Sequence, residues 1–121
     1  MKIERFEDIK AWQEARGLTR VIYTLTRQTV FARDRGLAAQ IQRAAVSVMA
    51  NIAEGFDRRT RKEFKNFLSV ALSSCTEVKS HLYVALDQGY VNQDRFAAAC
   101  AQCDQTTRLI RGFLKYLSSS T

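Results

Sequence analysis

Apolar residues recur every three or four positions along most of this chain, which is the spacing of amphipathic α-helices. A first helix is predicted from Phe6 to Thr29, where the apolar residues follow this spacing. The segment from Val30 to Gly36 carries charges without periodicity and is predicted to be a loop. A second helix is predicted to follow that loop and to run to Glu54, with Gly55 stopping it in a left-handed conformation.

Two further helices are predicted after Gly55. Thr60 and Glu63 have the spacing of a capping box, in which the hydroxyl and the carboxylate each accept a backbone N–H, so the third helix begins there. Gly89 is expected to end it, and Asn92 to cap the fourth helix. The apolar seams, with alternating spacings of three and four, are Phe64, Leu68, Ala71, Cys75, Val78, Leu82 and Ala85 in the third helix, and Phe96, Cys100, Cys103, Thr107, Ile110, Leu114 and Leu117 in the fourth.

The composition supports an all-α fold. The 121 residues include no proline and only five glycines, so little interrupts long helices. This length suits one domain, residues 1–121, with a single core. Because long helices joined by short turns lie antiparallel, the prediction is an antiparallel up-and-down four-helix bundle.

The second predicted helix has an unusually narrow polar face. Its polar stripe consists of Gln40, Arg43, Ser47, Asn51 and Glu54, and nearly all its other residues are apolar. One small domain can hardly bury such a helix on all sides, so a homo-oligomer is predicted. Two interpretations of the stripe remain open. It lines a solvated channel between subunits, or, as we favour, Asn51 and Glu54 are buried and paired with Arg43 or with a neighbouring chain.

The sequence favours a cytoplasmic protein. No segment approaches 18 consecutive apolar residues, and the first residues lack the apolar core of a signal peptide. The three cysteines, Cys75, Cys100 and Cys103, are an odd number without the spacing of a disulfide scaffold, which is consistent with reduced thiols.

Few residues are suited to catalysis or to metal binding. Cys100 and Cys103 have the spacing of a redox or metal motif, but both occupy seam positions, where cysteine packs as a small hydrophobe. His81 lies off the neighbouring apolar stripe, so it is a poor further ligand. Glu54 and Glu77 could form an acid–base pair, although an ionic role is more ordinary. We therefore expect no enzymatic activity, no metal and no cofactor.

The strongest polar signal is basic, in a chain whose net charge is +7. Arginine forks match phosphate geometry, so such residues favour RNA or DNA as a partner, although exposed cations often only solvate a surface. No motif for sequence-specific readout is present. The residues concerned are a basic cluster (Arg58, Arg59, Arg61, Lys62 and Lys65), diluted by Asp57 and Glu63, and an arginine ridge on the first helix (Arg16, Arg20 and Arg27).

Several strings of this sequence form a recognisable set of motifs. They are Phe6-Glu7-Asp8-Ile9 with Trp12 and Ala15, Gln40-Ile41-Gln42-Arg43-Ala44-Ala45-Val46-Ser47, Asn51-Ile52-Ala53-Glu54-Gly55, and Glu63-Phe64, Phe67-Leu68, Ala71, Glu77 and Gly89-Tyr90. With these motifs the sequence resembles a known family, the small helical proteins first noticed in intervening sequences of bacterial 23S ribosomal RNA genes. Two departures concern Met49, near which many relatives have proline, and Phe56, which many relatives follow with glycine.

The resemblance implies a four-helix bundle that assembles into a homopentamer. The similar accessory protein of diversity-generating retroelements forms a basic pentamer that binds nucleic acid and a reverse transcriptase. By this likeness we expect RNA or DNA to contact the basic cluster and Arg43, and we expect Asn51, Ile52, Glu54 and Gly55 to serve an oligomer interface or to mark the family. A nucleic-acid enzyme is a further expected partner. The alternative is a protein–protein scaffold without a nucleic-acid role.

Overall fold

The computed structural model describes residues 2–119, which form five α-helices and no strand. The predicted all-α fold with four long helices is confirmed. Met1, Ser120 and Thr121 of the predicted domain lie outside the described residues. A 3-10 turn at Phe6–Asp8 precedes α1 (Lys10–Thr26), α2 (Thr29–Arg33), α3 (Arg35–Phe56), α4 (Arg61–Asp87) and α5 (Gln93–Ser119).

The first predicted helix is split near its start. Ile9 is extended, with φ −76° and ψ 120°, so α1 begins only at Lys10. The preceding turn is held by the Asp8 carboxylate, whose Oδ2 accepts the backbone N–H groups of Glu4 at 3.1 Å and Arg5 at 3.2 Å. The helical spacing of Phe6 and Ile9 therefore continues across a break in the helix. Apolar spacing alone does not reveal this break.

The predicted loop from Val30 to Gly36 is wrong, because most of it is helical. Phe31 on α2 is fully buried, and this tertiary contact favours a helical turn where the local pattern gives no signal. Asp34 then caps α3: its Oδ1 accepts the Leu37 N–H at 3.1 Å, and its Oδ2 accepts the Tyr90 hydroxyl at 2.9 Å. The segment thus joins two long helices and ties them to the turn between α4 and α5.

Gly55 does not stop α3, so that prediction is wrong. The helix continues through Phe56, and within residues 2–119 only Gly89 has a positive φ, of 76°. Glycine is needed at position 55 for space, since an added Cβ would lie 2.7 Å from Phe64 Cδ1 and 2.8 Å from Phe67 Cβ. The missing side chain allows α3 and α4 to approach closely.

The predicted helix ends around α4 are confirmed. Thr60 Oγ1 accepts the Glu63 N–H at 3.1 Å, although the Glu63 carboxylate accepts the Thr60 hydroxyl rather than a backbone amide. Gly89 adopts the left-handed conformation after α4, and Asn92 Oδ1 accepts the Arg95 N–H at 2.8 Å at the start of α5.

The seam of α4 is buried as predicted, and that of α5 differs in detail. All seven predicted positions of α4 are buried. On α5, Thr106 is buried in place of Thr107, and Leu114 is only half-buried. Thr106 tolerates burial because its hydroxyl donates to the Gln102 carbonyl at 2.8 Å, which satisfies its polar group within the helix.

Each long helix packs against two others, in the order α1, α3, α4, α5 and back to α1. The contacts between α3 and α4 run in opposite order along the two helices: Ser47 bonds Ser74, whereas the later Gly55 meets the earlier Phe64. Within residues 2–119, no helix has both the length and the apolar character needed to cross a bilayer.

The other helices of the chain bury more of α3 than the hydrophobic pattern of this helix suggests. Ile52 has no exposed surface, and most other apolar side chains of α3 are buried or half-buried. The exposed apolar residues of this helix are Val46, which is 44% exposed, and Ala50. Only a narrow strip of exposed apolar surface therefore remains on α3.

Replacing Gly55 with alanine is expected to destabilise the fold, because the new methyl group overlaps the ring of Phe64. Overpacking costs about 1–3 kcal/mol, which outweighs the gain in helix propensity. Gly112→Ala is the matched control, since nothing lies within 4 Å of an added Cβ there, and it should stabilise the protein by up to about 1 kcal/mol. Urea unfolding of both variants checks this, and equal stabilisation by the two would contradict the close approach at Gly55.

Candidate nucleic-acid interface

The five residues of the basic cluster lie together at the junction of α3 and α4. Arg58 and Arg59 are in the turn after α3, and the other three are in the first turns of α4. Lys65 is half-buried, and the other four residues are exposed. The structure therefore gathers this part of the predicted site at one end of the bundle.

Two arginines of the cluster are held in place by the fold. The Arg58 guanidinium lies 4.6 Å from the centroid of the Phe67 ring and 4.0 Å from Glu54 Oε2. Arg61 Nη1 donates to the Leu117 carbonyl at 3.2 Å and so caps the end of α5. These contacts fix the direction of both side chains and bring the end of α5 beside the cluster.

The remaining cations of the cluster are not neutralised by the fold. No carboxylate within the described residues pairs with Arg59, Lys62 or Lys65. Lys62 and Lys65 also lie near the N-terminus of α4, where the helix dipole is already positive. Carboxylates at such a place stabilise a helix, whereas lysines do not. The positive potential at this end of the bundle therefore favours binding of an anion.

Arg43 lies away from the basic cluster, in the middle of the bundle. It is exposed and lines a groove of about 690 Å³ with Tyr23 of α1, Val46 of α3 and Glu77 of α4. The structure thus separates Arg43 from the other predicted nucleic-acid residues.

Within one chain, the polar stripe of α3 does not form the pairing that we favoured from the sequence. Asn51 Nδ2 donates to the Ser47 carbonyl at 2.8 Å and to Ser47 Oγ at 3.0 Å, and Ser47 Oγ shares a hydrogen bond of 2.9 Å with Ser74 Oγ on α4. Glu54 is exposed and pairs with Arg58. The prediction that Arg43 pairs with Asn51 or Glu54 inside one chain is therefore wrong, because Ser47 and Arg58 are nearer partners.

Ile52 and Gly55 lie in the core of the chain's own bundle. Neither has surface to offer a second subunit in this fold. Of the four residues assigned to an interface or to the family motif, Asn51 and Glu54 reach the surface of α3. The motif thus combines core packing with hydrogen bonding to α4.

The arginine ridge lies on one face of α1, as predicted. Arg16, Arg20 and Arg27 are exposed and line a groove of about 430 Å³ with Tyr23 and Met49. Arg16 Cζ also lies 5.9 Å from the centroid of the Trp12 ring. The sequence indicates the ridge but not its opposite wall on α3, because helical spacing carries no information on which helix packs beside it.

A row of aromatic rings at the same end as the basic cluster is missing from the sequence-based prediction. The ring centroids are 6.2 Å apart for Phe56 and Phe64, 5.2 Å for Phe64 and Phe113, and 6.1 Å for Phe113 and Tyr116. The row joins α3, α4 and α5. Phe113 and Tyr116 are neighbours on one helix, but Phe56, Phe64 and Phe113 lie on three different helices, so no local pattern connects them.

The cysteines are packed in the core between α4 and α5. Cys103 Sγ donates to the Cys75 carbonyl at 3.2 Å, and all three cysteines are buried with free thiols. The neighbouring Cys75 sulfur, together with burial, raises the pKa of Cys103 above the ordinary thiol value, and burial raises the pKa of Cys100. Such thiols are poor nucleophiles and poor metal ligands.

Glu54 and Glu77 have different partners in the structure. Glu54 pairs with Arg58 at one end of the bundle, whereas Glu77 lies near the middle of α4, with Oε2 3.2 Å from His81 Nε2. The two carboxylates considered as an acid–base pair are thus in separate places. Within residues 2–119, no group of three or more His, Cys, Asp and Glu side chains is arranged to hold a metal ion.

Comparison with known proteins agrees with the motifs of the sequence. The family model of the 23S rRNA-intervening sequence protein matches residues 7–112. The chain belongs to this family. No curated protein matches the chain at a significant level.

One solved structure similar to this chain is that of a protein of unknown function from the S23 ribosomal protein family of Bacteroides thetaiotaomicron VPI-5482. The TM-score is 0.80 at 19% identity, and the match covers 87% of this chain and 98% of that chain. At this identity the likeness shows a shared fold.

The native thiols are expected to react slowly with an aromatic disulfide reagent at pH 8, because burial and the raised pKa of Cys100 and Cys103 suppress the thiolate. Unfolding in urea should release all three thiols to rapid reaction, which serves as the control. The native rate should rise as the pH is increased beyond the ordinary thiol range. Immediate reaction of Cys103 in the folded protein would show that the core between α4 and α5 is open.

Proposed function

We propose that this protein is a non-enzymatic homo-oligomer that binds RNA or DNA through its basic cluster. Its subunit is an antiparallel up-and-down four-helix bundle, and the family resemblance favours a pentamer. The odd number of cysteines, without the spacing of a disulfide scaffold, favours the cytoplasm. The observation that carries the proposal is a set of three cations, the exposed Arg59 and Lys62 and the half-buried Lys65, that no described carboxylate neutralises.

The position of these cations supports a polyanionic ligand. Lys62, in the first turn of α4, opposes the helix dipole, so it slightly destabilises the unbound protein. A phosphate placed there contacts the cations and the free amides of the helix N-terminus together. Arg58 and Arg61 are already oriented by Phe67 and by the Leu117 carbonyl, which lowers the entropy lost when they bind.

An uncharged surface supports the proposal that the chain forms a homo-oligomer. Residues 44–53 of α3 and 66–76 of α4 contain no charged side chain, and the bond between Ser47 and Ser74 places the two segments side by side. Val46, 44% exposed, and Val70, 49% exposed, lie on these two segments. We assign the subunit contact to this neutral surface, defined as the exposed side chains of residues 44–53 and 66–76, which include Val46 and Val70.

Assembly strengthens weak contacts with nucleic acid. Each subunit carries one basic cluster, so a closed ring presents several copies on one rim. A strand that has bound one cluster meets the next at high effective concentration, which raises the overall affinity beyond that of a single site. A nucleic-acid enzyme is the further partner that suits such a complex.

Lys62→Glu is expected to weaken binding to single-stranded RNA and yet to stabilise the free protein. The carboxylate repels phosphates, while it favours the helix dipole by about 0.3–1 kcal/mol. The plot of log affinity against log salt should also lose about 0.7 of its negative slope for each phosphate contact removed. Fluorescence anisotropy over a salt series and thermal unfolding measure the two effects.

Arg95→Glu is the matched control, because Arg95 is an exposed cation in the first turn of α5, the other 27-residue helix. It should bring a similar stabilisation without loss of RNA affinity. Wild-type protein that fails to bind at low salt, or that binds without salt dependence, would overturn the proposal.

Val70→Glu is expected to reduce the assembled mass towards the 13.8 kDa of one chain, because it places a charge on the neutral surface. Its thermal stability as a single bundle should change little, since Val70 is exposed. Val30→Glu is the control, because Val30 is 53% exposed but lies on α2. Sedimentation measures the mass. An oligomer of unchanged size in Val70→Glu would place the subunit contact elsewhere.

A protein–protein scaffold is the second candidate function, and the neutral surface favours it. Val46 and Val70 suit a partner helix as well as a second copy of the chain. In that case the wild-type chain remains a monomer, and its complexes resist nuclease.

A further inference from the structure

An unusually exposed aromatic side chain lies near the basic cluster. Tyr116 on α5 is 59% exposed, the highest value among the large hydrophobic side chains of the described residues. Its ring is at the edge of a surface cavity of about 380 Å³, between the start of α1 and the end of α5. The apolar part of the lining comes from Ile3, Ile9, Leu109 and Phe113.

The cavity and the basic cluster are parts of one end of the bundle. Phe113 forms a wall of the cavity and packs edge-to-face on Phe64 of α4, 5.2 Å between centroids. Phe64 in turn contacts Phe56, the residue that precedes the turn carrying Arg58. Arg61 of the cluster reaches the carbonyl of Leu117, the neighbour of Tyr116 in the chain. A ligand on the cluster is therefore close to the cavity.

The charge at the cavity favours an anionic chain. Lys10 and Asp8 both line it, but the Asp8 carboxylate is occupied by the N–H groups of Glu4 and Arg5 and lies 3.8 Å from Arg5 Nε. No carboxylate of the described residues pairs with Lys10. Lys10 is thus available to a phosphate at the cavity, and Arg61 of the basic cluster lies against Leu117, the chain neighbour of Tyr116.

Resting on the proposed function, we infer that this cavity binds one unpaired nucleobase of a single strand whose phosphates lie on the basic cluster. Its volume is at the lower end of small-molecule sites, which suits a single planar ring system. Tyr116 supplies an aromatic face for stacking, and Phe113 and Ile9 supply apolar walls. Bases inside a duplex are already stacked and paired, so the site selects single strands.

The test compares three RNA probes of equal length: a single strand, the matching duplex, and a single strand with abasic positions. Tyr116→Ala is expected to weaken binding of the intact single strand roughly 5- to 150-fold, the range for loss of one stacked base. Affinity for the duplex and for the abasic strand should change less than twofold. Tyr116→Phe should keep wild-type affinity, because it keeps the ring.

Tyr83→Ala is the matched control, since Tyr83 is 52% exposed but lies near the far end of α4. It should leave every affinity unchanged. If wild-type protein binds the single strand and the duplex equally and Tyr116→Ala alters neither, the base site is wrong and the basic cluster alone explains binding. If no probe binds at low salt, the proposed function fails as well.

Discussion

The close approach of α3 to α4 at Gly55 is the constraint on which the rest of this structure depends. With no Cβ at position 55, the Phe64 ring and the Phe67 side chain can press against the α3 backbone. Phe64 then supports Phe113 of α5, and Phe67 supports the guanidinium of Arg58. One glycine thereby fixes both the aromatic row and the direction of a cation in the basic cluster.

This contact gives the family motif a structural role. Asn51 binds Ser47, Ser47 binds Ser74 of α4, and Gly55 sits one turn further along the same helix. Together they set the register and the distance between α3 and α4. Such a motif describes how two helices are joined, and the proposed binding of nucleic acid concerns the residues that this junction presents, namely Arg59 and Lys62.

Features encoded locally could be predicted from the sequence. The seam of α4, the cap at Thr60 and the turn at Gly89 each depend on residues within a few positions of one another, and all three are confirmed. The basic cluster could also be predicted, because its members are neighbours in the chain.

Features that need contacts between distant residues could not be predicted. Phe31 makes α2 helical by entering the core, and Gly55 serves a neighbouring helix rather than its own end. The position of Arg43 depends on how far α3 extends from its junction with α4. The Tyr116 cavity forms only where α1 meets α5. Helical periodicity determines which face is apolar, but not which helix covers it.

Native mass measurement of the protein mixed with a defined single-stranded RNA, before and after nuclease digestion, tests the central claim most directly. The account predicts a complex whose protein part is a multiple of 13.8 kDa, fivefold by family resemblance, and whose RNA part nuclease removes. A folded chain of 13.8 kDa that carries no RNA under low-salt conditions would contradict it.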